Sequence, residues 1–133
     1  MIVRSLADIV GTDRDVHADT WTSRRLLLAS DGCSFSLHDT IIRAGTVTDM
    51  WYRNHLEAVY CIEGTGTLVD RDAGVTYDLA PGTMYVLDDN ERHTVTATTD
   101  LRMVCVFDPP VTGREVHDAD GAYPLLSEAA GAS

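Results

Sequence analysis

From Ser34 onward the chain is written in short runs of alternating apolar and polar residues, each closed by a cluster of turn-forming residues. A period of two belongs to a strand with one face in a core and the other in water. Such runs cover 34–42, 46–52, 55–62, 67–69, 75–79, 83–87, 93–98 and 101–107, with a shorter one at 26–28. Between them lie Asp31-Gly32, Ala44-Gly45, Glu63-Gly64-Thr65-Gly66, Asp72-Ala73-Gly74, Pro81-Gly82, Asp88-Asp89-Asn90 and Thr99-Asp100. These supply the Gly, Pro, Asn and Asp that backbone reversals need. Many strands of similar length predict an all-β sandwich or small barrel whose interior is lined by alternate positions. Ser5 to Asp8 reads as a capping box and predicts a short helix at about 6–10.

The chain has 133 residues, which suits one domain, and 44% of them are hydrophobic, enough for a real core. Its formal net charge of −11 argues against nucleic acid and anionic membrane as partners, since both call for clustered Lys and Arg. The acidity fits solubility or a salty cytoplasm. The cysteines, Cys33, Cys61 and Cys105, are odd in number and form no C-x-x-C pair, which argues against a disulfide framework and a zinc ribbon. Reduced thiols point to the cytoplasm. Met1 to Val10 holds Arg4 and Asp8 and does not read as a signal peptide. No apolar run approaches the ~20 residues of a membrane helix. Asp108-Pro109-Pro110 ends sheet pairing, so the domain is expected over 1–117, with a flexible C-terminal tail over 118–133.

One residue conflicts with its neighbours. Glu57 lies within the apolar run Leu56-Glu57-Ala58-Val59-Tyr60-Cys61, where an inward carboxylate needs a partner. Strand parity puts His55, Glu57, Val59 and Cys61 on one face, Tyr85 with Leu87, and Cys105 with Phe107. Two spacings follow the loose motifs of cupin barrels. In G-x5-H-x-H-x3-E-x6-G, Gly45, Glu57 and Gly64 match, while Trp51 and Arg53 stand at the His positions. In G-x5-P-x-G-x2-H-x3-N, Gly82 and His93 match, and Asp88, Asn90 and Ala97 replace the Pro, Gly and Asn. The chain thus resembles a jelly-roll-like cupin that keeps one His and the Glu of a metal centre. Two ligands are too few for a stable site, so the chain must supply more or bind no metal. Tyr85, three residues beyond Gly82, is the candidate third, and such an O,O,N set suits iron or zinc.

Longer runs narrow the resemblance. Met1-Ile2-Val3-Arg4, Trp51 to Gly64, Pro81 to Asp88, Glu91-Arg92-His93 and Cys105 to His117 are similar to ectoine synthases over Met1 to about Pro124. E-A-V-Y-C-I-E-G and P-P-V-T-G-R-E-x-H are not generic cupin features. The resemblance implies a metal, Fe2+ with Zn2+ possible, held by Glu57, Tyr85 and His93. It implies substrate contacts at Trp21, Ser23, Arg25, Thr40, Tyr52, Cys105, Phe107, Glu115 and His117. Tyr52, His55, Tyr85, Glu115 and His117 are the implied catalytic set, and a homodimer is implied as the assembly. Some members carry His where this chain has Asp49 or Trp51. The implied activity is a hydro-lyase reaction, cyclisation of N-γ-acetyl-L-2,4-diaminobutyrate to ectoine with loss of water. The alternatives are another small-molecule metal cupin, an isomerase or dioxygenase, and a cupin that binds a ligand without converting it.

Overall fold

The computed structural model describes residues 1–52 and 54–112. Its strands are β1 (Asp15–His17), β2 (Trp21–Leu27), β3 (Ser36–Ile42), β4 (Val47–Trp51), β5 (Leu56–Glu63), β6 (Gly66–Asp70), β7 (Val75–Leu79), β8 (Met84–Leu87), β9 (Arg92–Ala97) and β10 (Leu101–Asp108). They form two antiparallel sheets, a six-stranded one in the order β1-β2-β3-β10-β5-β8 and a four-stranded one in the order β4-β9-β6-β7. The apolar faces of both sheets meet in one core cluster, which includes Trp21, Ile42, Met50, Val59, Leu68, Val95 and Phe107. This is the all-β architecture that the alternating runs predict, in the jelly-roll-like form that the cupin resemblance implies.

The predicted strands recur with ends shifted by one or two residues, except at the N-terminal side. There the alternation predicts no β1 and only the last residues of β2. In β2 the residues that face inward include Ser23 and Arg25, both buried. A strand whose inner positions are polar shows no apolar alternation, so its pattern is invisible to a period-two reading. The expected helix at 6–10 is a single 3-10 turn, Leu6–Asp8, in which the Asp8 carboxylate accepts the Ser5 N–H at 2.8 Å. A second 3-10 turn, Ala29–Asp31, has no counterpart among the predicted elements. Its Asp31 carboxylate accepts the Leu28 N–H and receives Arg4 at 2.8 Å and Arg14 at 3.1 Å, tying the N-terminal segment to the barrel.

The inner face of the larger sheet is an ordered grid fixed by register. One row runs Arg25, His38, Cys105, Val59, Tyr85 across β2, β3, β10, β5 and β8. A neighbouring row runs Ser36, Phe107, Glu57, Leu87. On the outer face Asp39 of β3 is clamped between Arg24 of β2 and Arg102 of β10, locking three adjacent strands by charge. The chain leaves β10 through a cis Asp108–Pro109 peptide. The expected tail over 118–133 lies outside the described residues.

Candidate active site

Glu57 and Tyr85 approach each other because of strand register. Glu57 pairs with Leu87 across β5 and β8, so Tyr85, two residues away, is its diagonal neighbour on the same inward face. Such diagonal positions are within reach of long and aromatic side chains. His93 enters from the facing sheet, on β9, where it pairs with Met50 of β4 and Asp70 of β6. Its ring packs on Tyr52 at 5.7 Å, and Tyr52 packs edge-on against Phe107 at 5.2 Å. The parity reading of β5, β8 and β10 therefore holds: Glu57, Val59, Cys61, Leu87, Cys105 and Phe107 are all buried.

Two cavities border this group. A narrow one of about 30 Å³ is lined by Glu57, Tyr85 and five of the expected substrate contacts, Trp21, Thr40, Tyr52, Cys105 and Phe107. A larger one of about 320 Å³ opens between the edges of β7 and β8 and is lined by His93, Glu91 and Tyr85 among others. Tyr85 borders both. The larger cavity is a gap between sheet edges; the narrow one is where most of the expected site residues converge. Of the other expected residues, Ser23, Arg25 and His55 are buried but do not line the narrow cavity. They belong to an adjoining polar cluster behind Phe107, against which His55 packs at 5.7 Å. Glu115 and His117 lie outside the described residues.

The electrostatics of the three central groups share one theme. Burial pushes the Glu57 carboxyl up to about 8, against a hydrogen bond from Cys105 that favours the charged form. Burial, and then the nearby Glu57, hold the Tyr85 phenol well above its ordinary range. Burial holds His93 down to about 4. Each group is thus driven toward its neutral form, the expected result when ionisable side chains are desolvated without a compensating charge. The Cys105 thiol, also pushed up by burial, interacts with both Glu57 and Thr40.

These residues fit a cation. The His93 Nδ1 lies 3.1 Å from the Glu91 carbonyl oxygen, which leaves the N–H on Nδ1 and a bare lone pair on Nε2. Nε2 is buried and has no hydrogen-bond partner among the described residues. That is how a ligating histidine is held, one nitrogen anchored to a backbone carbonyl and the other aimed at the metal. Among the described residues no three His, Cys, Asp or Glu side chains group closely enough to hold a metal ion. A centre built on Glu57 and His93 would therefore need a donor of another type, and the diagonal Tyr85 carries a phenol oxygen that suits that part. Two residues escaped the sequence reading. Glu91 orients His93 through its backbone, which leaves no trace in side-chain pattern. His38 is fully buried in the polar cluster; its parity with Thr40 and Ser36 on β3 was the available signal.

The sequence profile of the ectoine synthase family matches residues 1–127. The chain is 58% identical over 128 residues to an L-ectoine synthase of Thermobifida fusca, covering 96% of each. It is 57% identical to an L-ectoine synthase of Streptomyces anulatus, covering 98% of this chain and all of that one. The crystal structure of ectoine synthase from P. lautus superimposes with a TM-score of 0.86 at 57% identity, covering 96% of this chain and 91% of that chain. The polyketide cyclase RemF of Streptomyces resistomycificus superimposes with a TM-score of 0.68 at 23% identity, over 90% of this chain and 89% of that one. At that identity the likeness concerns the fold alone.

Proposed function

The chain belongs to the ectoine synthase family, and from that premise we propose that Glu57, Tyr85 and His93 hold a ferrous ion, with zinc as the alternative, beside the site where the substrate closes into a ring. The activity is that of an L-ectoine synthase, a hydro-lyase. N-γ-acetyl-L-2,4-diaminobutyrate carries both its nucleophile and its electrophile. The α-amine attacks the acetyl carbonyl carbon, a C–N bond forms, the C–O bond breaks, and the oxygen leaves as water with the two protons the amine gives up. When bound, the metal supplies a Lewis acid for the carbonyl oxygen. The observation that carries this reading is the buried, unpartnered Nε2 of His93 beside two neutralised oxygen acids.

The protein's own residues have three tasks. The first is to fold a flexible substrate so that its amine meets its carbonyl, which contributes several kcal/mol toward the barrier. Trp21, Thr40, Tyr52 and Phe107, which wall the narrow cavity, suit it. The second is to hold the substrate carboxylate, for which the buried Arg25 guanidinium is the matching group. The third is to move protons. Tyr85, Glu115 and His117 are the candidates for taking them from the amine and delivering them to the departing oxygen, with Tyr52 and His55 beside them. Incubating the full chain with ferrous iron and N-γ-acetyldiaminobutyrate under anaerobic conditions should give the ectoine ring in proton NMR. Absence of ring product in metal-replete protein refutes the assignment.

A homodimer in the cytoplasm completes the reading. β8 is an edge strand, and its outward Met84 and Val86 form an exposed apolar patch with Leu56 and Tyr60 of β5. The exposed Met1, Ile2 and Val3 give a second apolar surface of the same kind. Exposed edges and patches of this sort are covered in stable proteins, and a second copy is the partner that supports the expectation. No helix of the described residues is long and apolar enough to cross a membrane. The free thiols of Cys33, Cys61 and Cys105 favour a reducing compartment.

A further inference from the structure

The His93 imidazole is oriented by one bond, from Nδ1 to the Glu91 carbonyl at 3.1 Å, so the ring is held no better than that carbonyl is. A carbonyl does not turn by itself. The atoms of a peptide unit lie in one plane, and the Glu91 C=O and the Arg92 N–H move together. Whatever holds that N–H therefore also holds the carbonyl. The Arg92 N–H is donated to the Asp72 Oδ2 at 2.8 Å. Asp72 stands in the turn between β6 and β7 and lines neither cavity.

The bond continues the pairing of β6 with β9. Asp70 and His93 are the last pair of that ladder, and beyond it the Arg71 N–H is donated to the Arg92 carbonyl at 2.8 Å. At the following place the acceptor is a side chain, the Asp72 carboxylate. Its Oδ1 also accepts the Arg92 Nε–H at 3.1 Å, so one carboxylate takes the main chain and the side chain of the same residue. The Arg92 backbone N–H, ahead of the guanidinium, holds Asp72 below its ordinary value of 3.8. An exposed carboxylate ordinarily adds little, because ordering a surface side chain offsets what the contact gains. Here the turn has already ordered its backbone. The Asp70 Oδ1 accepts the Asp72 and Ala73 N–H groups at 3.0 Å each, and the Gly74 N–H is donated to the Asp70 carbonyl at 2.8 Å. Asp70 in turn lines the larger cavity together with His93.

We propose that Asp72 is a positioning residue for the His93 imidazole: by fixing the Glu91–Arg92 peptide unit from the surface, it keeps the ring proton on Nδ1 and leaves the Nε2 lone pair bare for a cation. This rests on the reading of His93 as a metal ligand. A Glu91 carbonyl turned away would strip Nδ1 of its acceptor. The proton would then be shared with Nε2, the nitrogen that has to be bare to bind a metal. Asp72 itself touches neither metal nor substrate.

Two variants separate the bond from the charge. Asp72→Ala removes both contacts. Asp72→Asn keeps an oxygen for the Arg92 N–H and gives up the charge, and the Arg92 side chain, more than half exposed, is free to swing away from the new amide. Zinc, which an O,O,N set also accepts, is titrated into the metal-free full chain against a chromophoric chelator. Asp72→Ala should bind it about fivefold more weakly, less than the roughly ten- to hundredfold of a partner that bonds the ligand directly. Asp72→Asn should stay within about twofold of wild type. A readout independent of metal is the His93 tautomer in metal-free, 15N-histidine-labelled protein at neutral pH. Two-bond proton–nitrogen correlations report which ring nitrogen carries the proton, and the His93 signals are those missing in His93→Gln. Wild type and Asp72→Asn should hold the proton on Nδ1, and Asp72→Ala should show both tautomers. A purely structural role would lower the melting temperature of Asp72→Ala and leave the tautomer unmoved. A proton confined to Nδ1 in Asp72→Ala, or wild-type zinc affinity there, overturns the proposal. So does an Asp72→Asn variant that binds zinc as weakly as Asp72→Ala, since the charge would then be responsible. If His93→Gln binds zinc as tightly as wild type, the ligand reading is at fault, and the tautomer data still decide the role of Asp72.

Discussion

Glu57 shows how much one residue's surroundings decide. A carboxyl pushed up to about 8 is mostly protonated at neutral pH, and the Tyr85 phenol, held well above its ordinary range, is protonated as well. Both must lose a proton to act as anionic ligands. Metal uptake by metal-free protein at pH 7 should therefore release between one and two protons, measured by calorimetry in buffers of different ionisation enthalpy. Glu57→Gln keeps the shape and removes one of those protons. It should lower the release by about one and weaken metal binding on the order of a hundredfold or more, since a direct ligand outweighs an outer-shell one. A buffer-independent binding heat would sink the assignment. At this scale the sequence was readable in unequal parts. Glu57 and His93 stood out through motif spacing and burial cost. Tyr85 depended on the family resemblance, because a tyrosine in a strand is ordinary until its diagonal neighbour across β5 and β8 is known.

At the scale of elements, the turn Glu63-Gly64-Thr65-Gly66 explains why the first cupin motif ends on glycine. Gly64 has φ +92°, and a Cβ there would run into the Asp100 carbonyl. Gly66 has ordinary φ, but a Cβ on it would collide with the Thr96 carbonyl of the adjacent β9. Neither neighbour can yield, since both are backbone. Gly66→Ala should cost roughly 1–3 kcal/mol by overpacking, read as a shift in the urea midpoint, and Gly64→Ala more because of its left-handed backbone. If Gly66→Ala proved neutral, the β6–β9 contact would have to be looser than described. β2 gives the opposite lesson about legibility. Its inner positions are spent on Ser23 and Arg25, so this strand shows little apolar alternation in its sequence. Alternation reports burial of apolar side chains, and a strand built to present polar groups inward does not show it.

For the whole molecule, acid stability follows from two aspartates. Asp31 is held well below its ordinary value of 3.8 chiefly by its hydrogen bond from Arg4, and Asp39 is lowered by Arg102 and Arg24 against the cost of burial. A carboxylate lowered in the folded state binds fewer protons there than in the unfolded chain. Its contribution is complete above the unfolded value and is lost as pH falls below about 4 toward the folded one. Thermal denaturation should show the melting temperature falling steeply below that point. Asp39→Asn should cost roughly 1.5–3 kcal/mol at neutral pH and flatten the acid limb; an unchanged limb would assign the acid sensitivity elsewhere. The edge patch of Met84 and Val86 makes a separate forecast. Light scattering should report a dimer for the native chain and a monomer for Met84→Lys, whereas a dimer that survives that change places the interface on another face.

The sequence by itself determined the all-β class, the positions of most turns, the inward parity of Glu57, Cys105 and Phe107, and, through its long matching runs, the family. All of these depend on local periodicity or on residue identity at fixed spacing, which a linear chain records directly. Only the tertiary structure decided that Tyr85 falls diagonal to Glu57, that the His93 ring comes from the opposite sheet with Nε2 bare, and that Asp72 holds the peptide unit on which that ring is anchored. Each of those facts joins residues tens of positions apart through register and sheet order. Those follow from how two sheets stack and from which strands become neighbours, and no single segment contains that information.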